Sequence, residues 1–205
     1  MRIGLLLTGI SHGSKNRDWR RTIKNIQDNL IFPYTRDNNR VDVYFTTYPS
    51  ETQSLLIDTV SPTACQFLKF FQSSQRTTYI KSLAMLRDEP LDFIIATRFD
   101  ILFNQTLKSL RIDYGKFNVL FREKDWWDGG YEFATDVLYA FPAKYLEGVI
   151  KGIRNLIENP PRQCYDMHGT YKSVKMSIGG ENANVAIDGF YYTHDNPFFK
   201  LDRHK

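Results

Sequence analysis

The stretch "LDFIIATRFDILFN", residues 91–104, decides how this chain is read. Its first half is a continuous apolar run rich in isoleucine and phenylalanine, the pattern of a strand covered on both faces. The run then sets Arg98 and Asp100 two residues apart and turns apolar again at Ile101, Leu102 and Phe103. A charged pair at a strand end is commonly a surface pair, because strand ends are often polar. Here the charges punctuate an apolar segment instead of closing it, and a ligand beside them explains that more readily.

Strand and helix signals alternate outward from this point. Residues 3–7 form a short apolar run, a buried first strand, and "DWRRTIKNIQDNL" places Trp19, Ile23, Ile26 and Leu30 at helical spacing behind Asp18. "VDVYFTTY" (residues 41–48) reads as a second strand, and "SSQRTTYIKSLAML" as a second helix capped by Ser73 or Ser74, which makes the opening stretch the third strand. "YTRDNNR" reads as a surface loop. Farther on, "FNVLF" (residues 117–121) is a strand, "DWWDGGYEFATD" a loop, and "VLYAFP" a strand closed by Pro142. "AKYLEGVIKGIRNLIENPP" carries Tyr145, Val149, Ile153 and Ile157 at helical spacing until Pro160 and Pro161 stop it, and the last forty residues are less regular. The alternation predicts an α/β domain with a central, mostly parallel, mixed sheet flanked by helices. Ligands of such sheets bind beyond the carboxyl ends of the strands.

With 205 residues, 42% hydrophobic and 15% aromatic, the chain is expected to fold as one domain. The net charge of +4 favours anionic partners, but Lys and Arg are scattered and form no nucleic-acid arm; a phosphate-bearing small ligand satisfies the same bias. Cys65 and Cys164 lie far apart and outside any CxxC pair, which suggests neither a zinc site nor a disulfide framework and fits a reducing compartment. The N-terminal apolar run is too short for a signal peptide or a membrane span, and no transmembrane segment is expected.

The first strand ends in "LLLTGISHGSK". A phosphate-cradling GxxxxGK[S/T] loop is excluded, because Gly9 and Gly13 are too close, Ser14 precedes Lys15, and Asn16 stands at the metal-binding position. The GxGxxG turn of dinucleotide and methyltransferase folds is also missing. What remains is a small-residue turn, Thr8 and Gly9, where a base or ribose can approach the backbone closely.

"RIGLLLTG", "DWRRTIKNI", "DVYFTTY", "SSQRTTYIKSLAML" and "DFIIATRFDILF", in that order, resemble nucleotide-sugar glycosyltransferases of the GT-A, Rossmann-like type, most of all the small ones encoded by large algal (chlorella-type) viruses. The resemblance runs over residues 1–103 and more loosely through "FATDVLYAFPAKYL". It implies a nucleotide-sugar half (1–103) and an acceptor half (104–205), a UDP-sugar donor, a glycan or glycoprotein acceptor, and a cytoplasmic location, in the host cytoplasm for a viral protein. In that family an Asp-any-Asp motif ends a central strand and holds a divalent metal, Mn2+ or Mg2+, against the donor diphosphate. Here "RFD" stands in its place, so only Asp100 carries over as a metal or ribose contact, and Arg98 is expected to stabilise leaving-group charge itself. His194, in "FYYTHDNP", is the resemblance's second candidate metal ligand.

The loop before residue 136 offers Trp126 and Trp127 for stacking on an acceptor sugar, with Glu132 beside them. A carboxylate must deprotonate the acceptor if the reaction inverts; Asp128 is the first candidate and Asp136 the second. Arg76 and Tyr79, on the second helix, are candidates for the diphosphate and the base. His168, Glu181, Asn182 and Asp188 fall in a glycine-broken region suited to a lid or acceptor wall. A ligand-facing carboxylate stabilises little, so Asp100→Ala is expected to abolish transfer with the melting temperature nearly unchanged. The alternatives are a non-catalytic carbohydrate- or nucleotide-binding module of the same fold and, more remotely, a methyltransferase.

Overall fold

In the computed structural model, the described residues are 1–12, 18–69, 74–124, 132–159 and 167–202. Strand β1 (Arg2–Thr8) is buried from Ile3 onward because it lies at the middle of the sheet. It pairs in parallel with β2 (Arg40–Thr47) on one side and β4 (Phe93–Arg98) on the other. Strand β3 (Ala64–Phe67) extends the β2 edge in parallel. Beyond β4, strand β8 (Leu138–Pro142) runs antiparallel, followed by β6 (Phe117–Val119) and β9 (Ala183–Val185). Among the described residues one sheet therefore has seven strands in the order β3-β2-β1-β4-β8-β6-β9, mixed in direction, as expected.

Successive side chains of a strand point to opposite faces, so β1 feeds two cores. Ile3, Leu5 and Leu7, with Phe93 and Ile95 of β4, pack on one face against helix α1 (Trp19–Ile26). Leu6, with Ile94 and Ala96, packs on the other against helices α4 (Gln75–Ala84) and α5 (Leu146–Glu158). Each such side chain taken fully out of water contributes about 1.5–3 kcal/mol. Helix α6 (Thr170–Ile178) lies on α5, where a Cβ on Gly152 would come within 2.7 Å of Val174 Cα; the missing side chain permits that approach.

The helix starts follow their caps. The Asp18 side chain accepts from the Arg20 amide and the Ser74 side chain from the Thr77 amide, which leaves Ser74 as the cap of α4. Helix α1 runs on into a π-helical stretch, Gln27–Ile31, and a short helix α2 (Phe32–Thr35), so the expected loop at residues 34–40 begins inside a helix. Helix α3 (Gln53–Val60) and β3 were not anticipated, because α3 buries only Leu56 and β3 is an edge strand. On α5 the buried stripe is Leu146, Val149, Ile150, Ile153 and Leu156, whereas Ile157 is exposed.

The opening stretch is not one strand. Strand β4 ends at Arg98, and Ile101–Phe103 forms β5, which pairs antiparallel with β11 (Phe199–Leu201). A further small ribbon joins β7 (Arg122–Glu123) to β10 (Phe190–Tyr191) in parallel. The turn between β4 and β5 is fixed from outside the sheet. Thr22 Oγ1 donates to the Phe99 carbonyl at 2.6 Å, and the Asp202 amide donates to the Asp100 carbonyl at 2.8 Å. Apolar residues resume after Asp100 because they enter a second ribbon over the same core, which contains Ile101, Phe103 and Phe199.

Candidate active site

Parallel register brings the strand ends together: Thr8 of β1 lies beside Thr46 of β2 and Arg98 of β4. The chain leaves β1 through Gly9, whose φ of +93° suits glycine, and the Gly9 amide donates to the Thr46 carbonyl at 3.2 Å. Over these ends opens a cavity of about 220 Å³, lined by Thr8, Gly9, Tyr79, Arg98 and Asp100 together with Ile10, Tyr48, Gln75 and Thr78. This is the carboxyl edge where open α/β sheets bind ligands.

The Arg98 guanidinium dominates the cavity floor. Its Nε and Nη2 donate to Asp100 Oδ1 and Oδ2 at 2.8 and 2.7 Å, a two-point fork. Its Nη1 reaches both oxygens of Asp136 at 3.4 Å. Burial, the largest influence on Arg98, would by itself favour the neutral form; the charges of Asp136 and Asp100 outweigh it and hold the pKa above the ordinary arginine value. Asp136 also accepts from Gln75 Nε2 at 2.7 Å. It stands behind the cavity lining and anchors two of its residues.

Helix α4 presents Gln75, Thr78 and Tyr79 to the cavity, a face with the spacing i, i+3, i+4. The first turn of α4 adds the partial positive charge of a helix N-terminus. Tyr48 joins from just beyond β2, its hydroxyl 3.2 Å from Thr78 Oγ1. The buried Tyr79 hydroxyl lies beside Thr8 without a well-formed hydrogen bond. Burial chiefly raises its pKa, so it remains a neutral donor.

Several expected site residues lie elsewhere. Arg76 is about 100° around the helix from Gln75, and its Nη1 donates to the Leu156 carbonyl at the end of α5 at 2.8 Å. Arg76, expected to meet the diphosphate, is thus engaged in the packing of α4 on α5 and is absent from the cavity lining. His194 is exposed against the Tyr192 ring, 5.3 Å between centroids, and does not line the cavity. Glu132, in a left-handed conformation with φ +48°, pairs with Lys175 of α6 at 3.1 Å and is likewise absent from the lining. Asn182 accepts from the Tyr145 hydroxyl at 2.8 Å, and Asp188 pairs with exposed Arg111. Trp126, Trp127 and Asp128 lie outside the described residues, as does Cys164; Cys65 is exposed and free.

Sequence reasoning missed Gln75, Tyr48 and Thr78. The available signals were the position of Tyr48 just past a strand end and the helical spacing of Gln75 and Thr78 from Tyr79.

Asp100 and His194 do not fit the divalent cation that the resemblance implies. Both Asp100 carboxylate oxygens already receive hydrogen bonds from Arg98, and His194 packs away from the cavity. Among the described residues no three His, Cys, Asp or Glu side chains come together in a group that could hold a metal.

A second buried group adjoins the first. Glu123 of β7 lies 3.5 Å from His168 Nδ1 and accepts a hydrogen bond from the Thr193 hydroxyl. Burial, the largest influence, pushes the Glu123 carboxyl above the ordinary glutamate range; Thr193 and His168 pull it down, and Asp136 adds to the rise.

A mixed, helix-flanked sheet with its cavity over the strand ends is a Rossmann-like α/β architecture, consistent with a GT-A type of fold. Among solved structures the chain is similar to the apo form of the glycosyltransferase GlyE of Streptococcus pneumoniae TIGR4, with a TM-score of 0.51 and 9% identity. The match covers 89% of this chain and 44% of that protein, so this chain spans less than half its length. At such identity the likeness is one of fold. No protein-family model matches the chain, and no curated protein matches it. Among the described residues no helix is long and apolar enough to cross a membrane.

Proposed function

We propose that this chain transfers a sugar from a nucleoside diphosphate, a UDP-sugar, to a glycan or glycoprotein acceptor. The observation that carries the reading is the cavity over the ends of β1 and β4, floored by Arg98, in a glycosyltransferase fold. Thr8 and Gly9 allow close backbone approach for the ribose, and Tyr48 and Tyr79 offer ring faces or hydroxyls to the base. The diphosphate gains charge as the glycosidic bond breaks, and the first turn of α4 supplies partial positive charge there beside the guanidinium of Arg98. The fork to Asp100 fixes the guanidinium in advance, so no reorganisation is needed as charge develops.

Asp136 positions Arg98 and Gln75 in this scheme, and Asp128 keeps the role of base toward the acceptor hydroxyl. Trp126 and Trp127 are the proposed acceptor platform.

Calorimetric titration with UDP, followed by a product assay with UDP-sugars and a panel of oligosaccharide acceptors, tests the proposal. Micromolar binding with turnover supports it. Binding without turnover favours the non-catalytic module, a reading suggested by the saturation of Arg98 between two carboxylates. Absence of binding removes the donor assignment.

A further inference from the structure

A diphosphate leaving group needs a cation, and in this cavity one is already built into the chain. The Arg98 guanidinium lies between Asp100 and Asp136, and all four carboxylate oxygens face its N–H groups, two at 2.7–2.8 Å and two at 3.4 Å. The three side chains are only 11%, 4% and 2% exposed. A hard divalent cation takes six or more oxygen ligands at close range. To gain these carboxylates it would have to break the fork and leave a buried guanidinium, which cannot shed its proton, facing an ion of like sign.

We infer that Arg98 is the resident cation of this site, and that nucleoside diphosphate binds here without a divalent metal. The inference rests on the donor reading above. The two halves of the guanidinium differ in a way that suits the task. The Asp100 fork is short and holds the group in place at the cavity, while the longer Nη1 contacts to Asp136 anchor it from behind the lining. Arg98 with Asp100 and Asp136 carries one positive and two negative charges. Removing the arginine therefore leaves two buried carboxylates near one point, an arrangement that attracts the very cation the native chain refuses.

The test uses the whole chain and two titrants, manganese chloride alone and UDP, on wild type, Arg98→Met and Arg98→Lys. Wild type is expected to show no stoichiometric manganese binding and to bind UDP equally, within about twofold, in EDTA and in manganese. Arg98→Met is expected to gain manganese affinity by about tenfold or more. Arg98→Lys keeps the charge without the fork, so it is expected to refuse manganese and to bind UDP several-fold more weakly, because the cation is no longer held in place by Asp100. Stoichiometric manganese binding by wild type, or a fall of about tenfold or more in its UDP affinity in EDTA, overturns the inference. If Arg98→Met does not fold, the wild-type titrations and Arg98→Lys still decide. If UDP binds under neither condition, the donor reading fails, while manganese binding by wild type against the variants separately decides which cation the site holds.

Discussion

Arg98 and Asp100, two residues apart, meet face to face in a fork of 2.8 and 2.7 Å across the turn that ends β4. Phe99 between them is buried in the core, and its carbonyl is held by Thr22, so the turn has little freedom to open. The fork therefore belongs to the fold as much as to the cavity, and this changes what its removal is expected to do.

Asp100→Ala leaves the Arg98 charge buried with only the long contact to Asp136. Breaking a buried ion pair from one side typically costs about 3–5 kcal/mol. A large fall in melting temperature is expected alongside loss of transfer, in place of the unchanged stability that the sequence suggested. Thermal melts of the variant check this; a melting temperature within a degree or two of wild type would mean that solvent or a neighbour takes over the pairing.

Tyr79→Phe removes a buried hydroxyl that has no well-formed partner in the chain and keeps the ring against Tyr139. Stability is expected to hold or rise slightly, and UDP affinity to fall by about 0.5–1.5 kcal/mol if the hydroxyl meets the donor. Calorimetry on the variant decides, and unchanged affinity would take Tyr79 out of the donor contacts.

Asp136→Asn weakens the hold on both Arg98 and Gln75. UDP affinity is expected to fall, and stability to drop by about 1–3 kcal/mol as a charge-assisted contact is lost. Gln75→Ala, which removes the neutral partner alone, is expected to have the smaller effect on melting. Equal effects would show that Asp136 acts mainly through Gln75.

Arg76→Ala separates packing from binding. It deletes the donor to the Leu156 carbonyl at the α4–α5 contact, so stability is expected to fall by about 1–3 kcal/mol while UDP affinity is unchanged. A weakened UDP titration would return Arg76 to the site.

Glu123 gives the molecule a pH signature. Its folded pKa lies above the unfolded value of 4.5, so between these two values the folded chain binds more protons than the unfolded one. Stability contributed by this group therefore falls as pH rises through that window. Glu123→Gln removes the titration, and the variant is expected to lose less stability than wild type between pH 4.5 and neutrality. Parallel melting curves across that range would show that His168 and Thr193 compensate fully.

Much of the fold was legible because the sheet centre announces itself. Residues 3–7 and 93–96 are continuous apolar runs, and Trp19, Ile23 and Ile26 repeat at helical spacing, since central strands and their covering helices must bury those faces. Helix α3 and strand β3, at the margin of the sheet, bury too little to leave a pattern. In the cavity, Thr8, Gly9, Arg98 and Asp100 could be placed from sequence because strand ends of an α/β sheet converge on one edge. Tyr48 and Gln75 could not, because their entry depends on how β2 and α4 are set against that edge.

Local apolar periodicity was enough to specify the α/β class, the order of the central elements and the strand ends where a ligand would lie. The tertiary structure alone decided that residues 91–104 are two strands in two sheets, since Phe103 pairs with Phe199, ninety-six positions on. It alone also decided that Asp136 reaches Arg98, that Arg76 turns to α5, and that His194 stays outside. Those outcomes depend on contacts between segments remote in sequence, and no local pattern of residues encodes which charge will find which partner once the strands are in register.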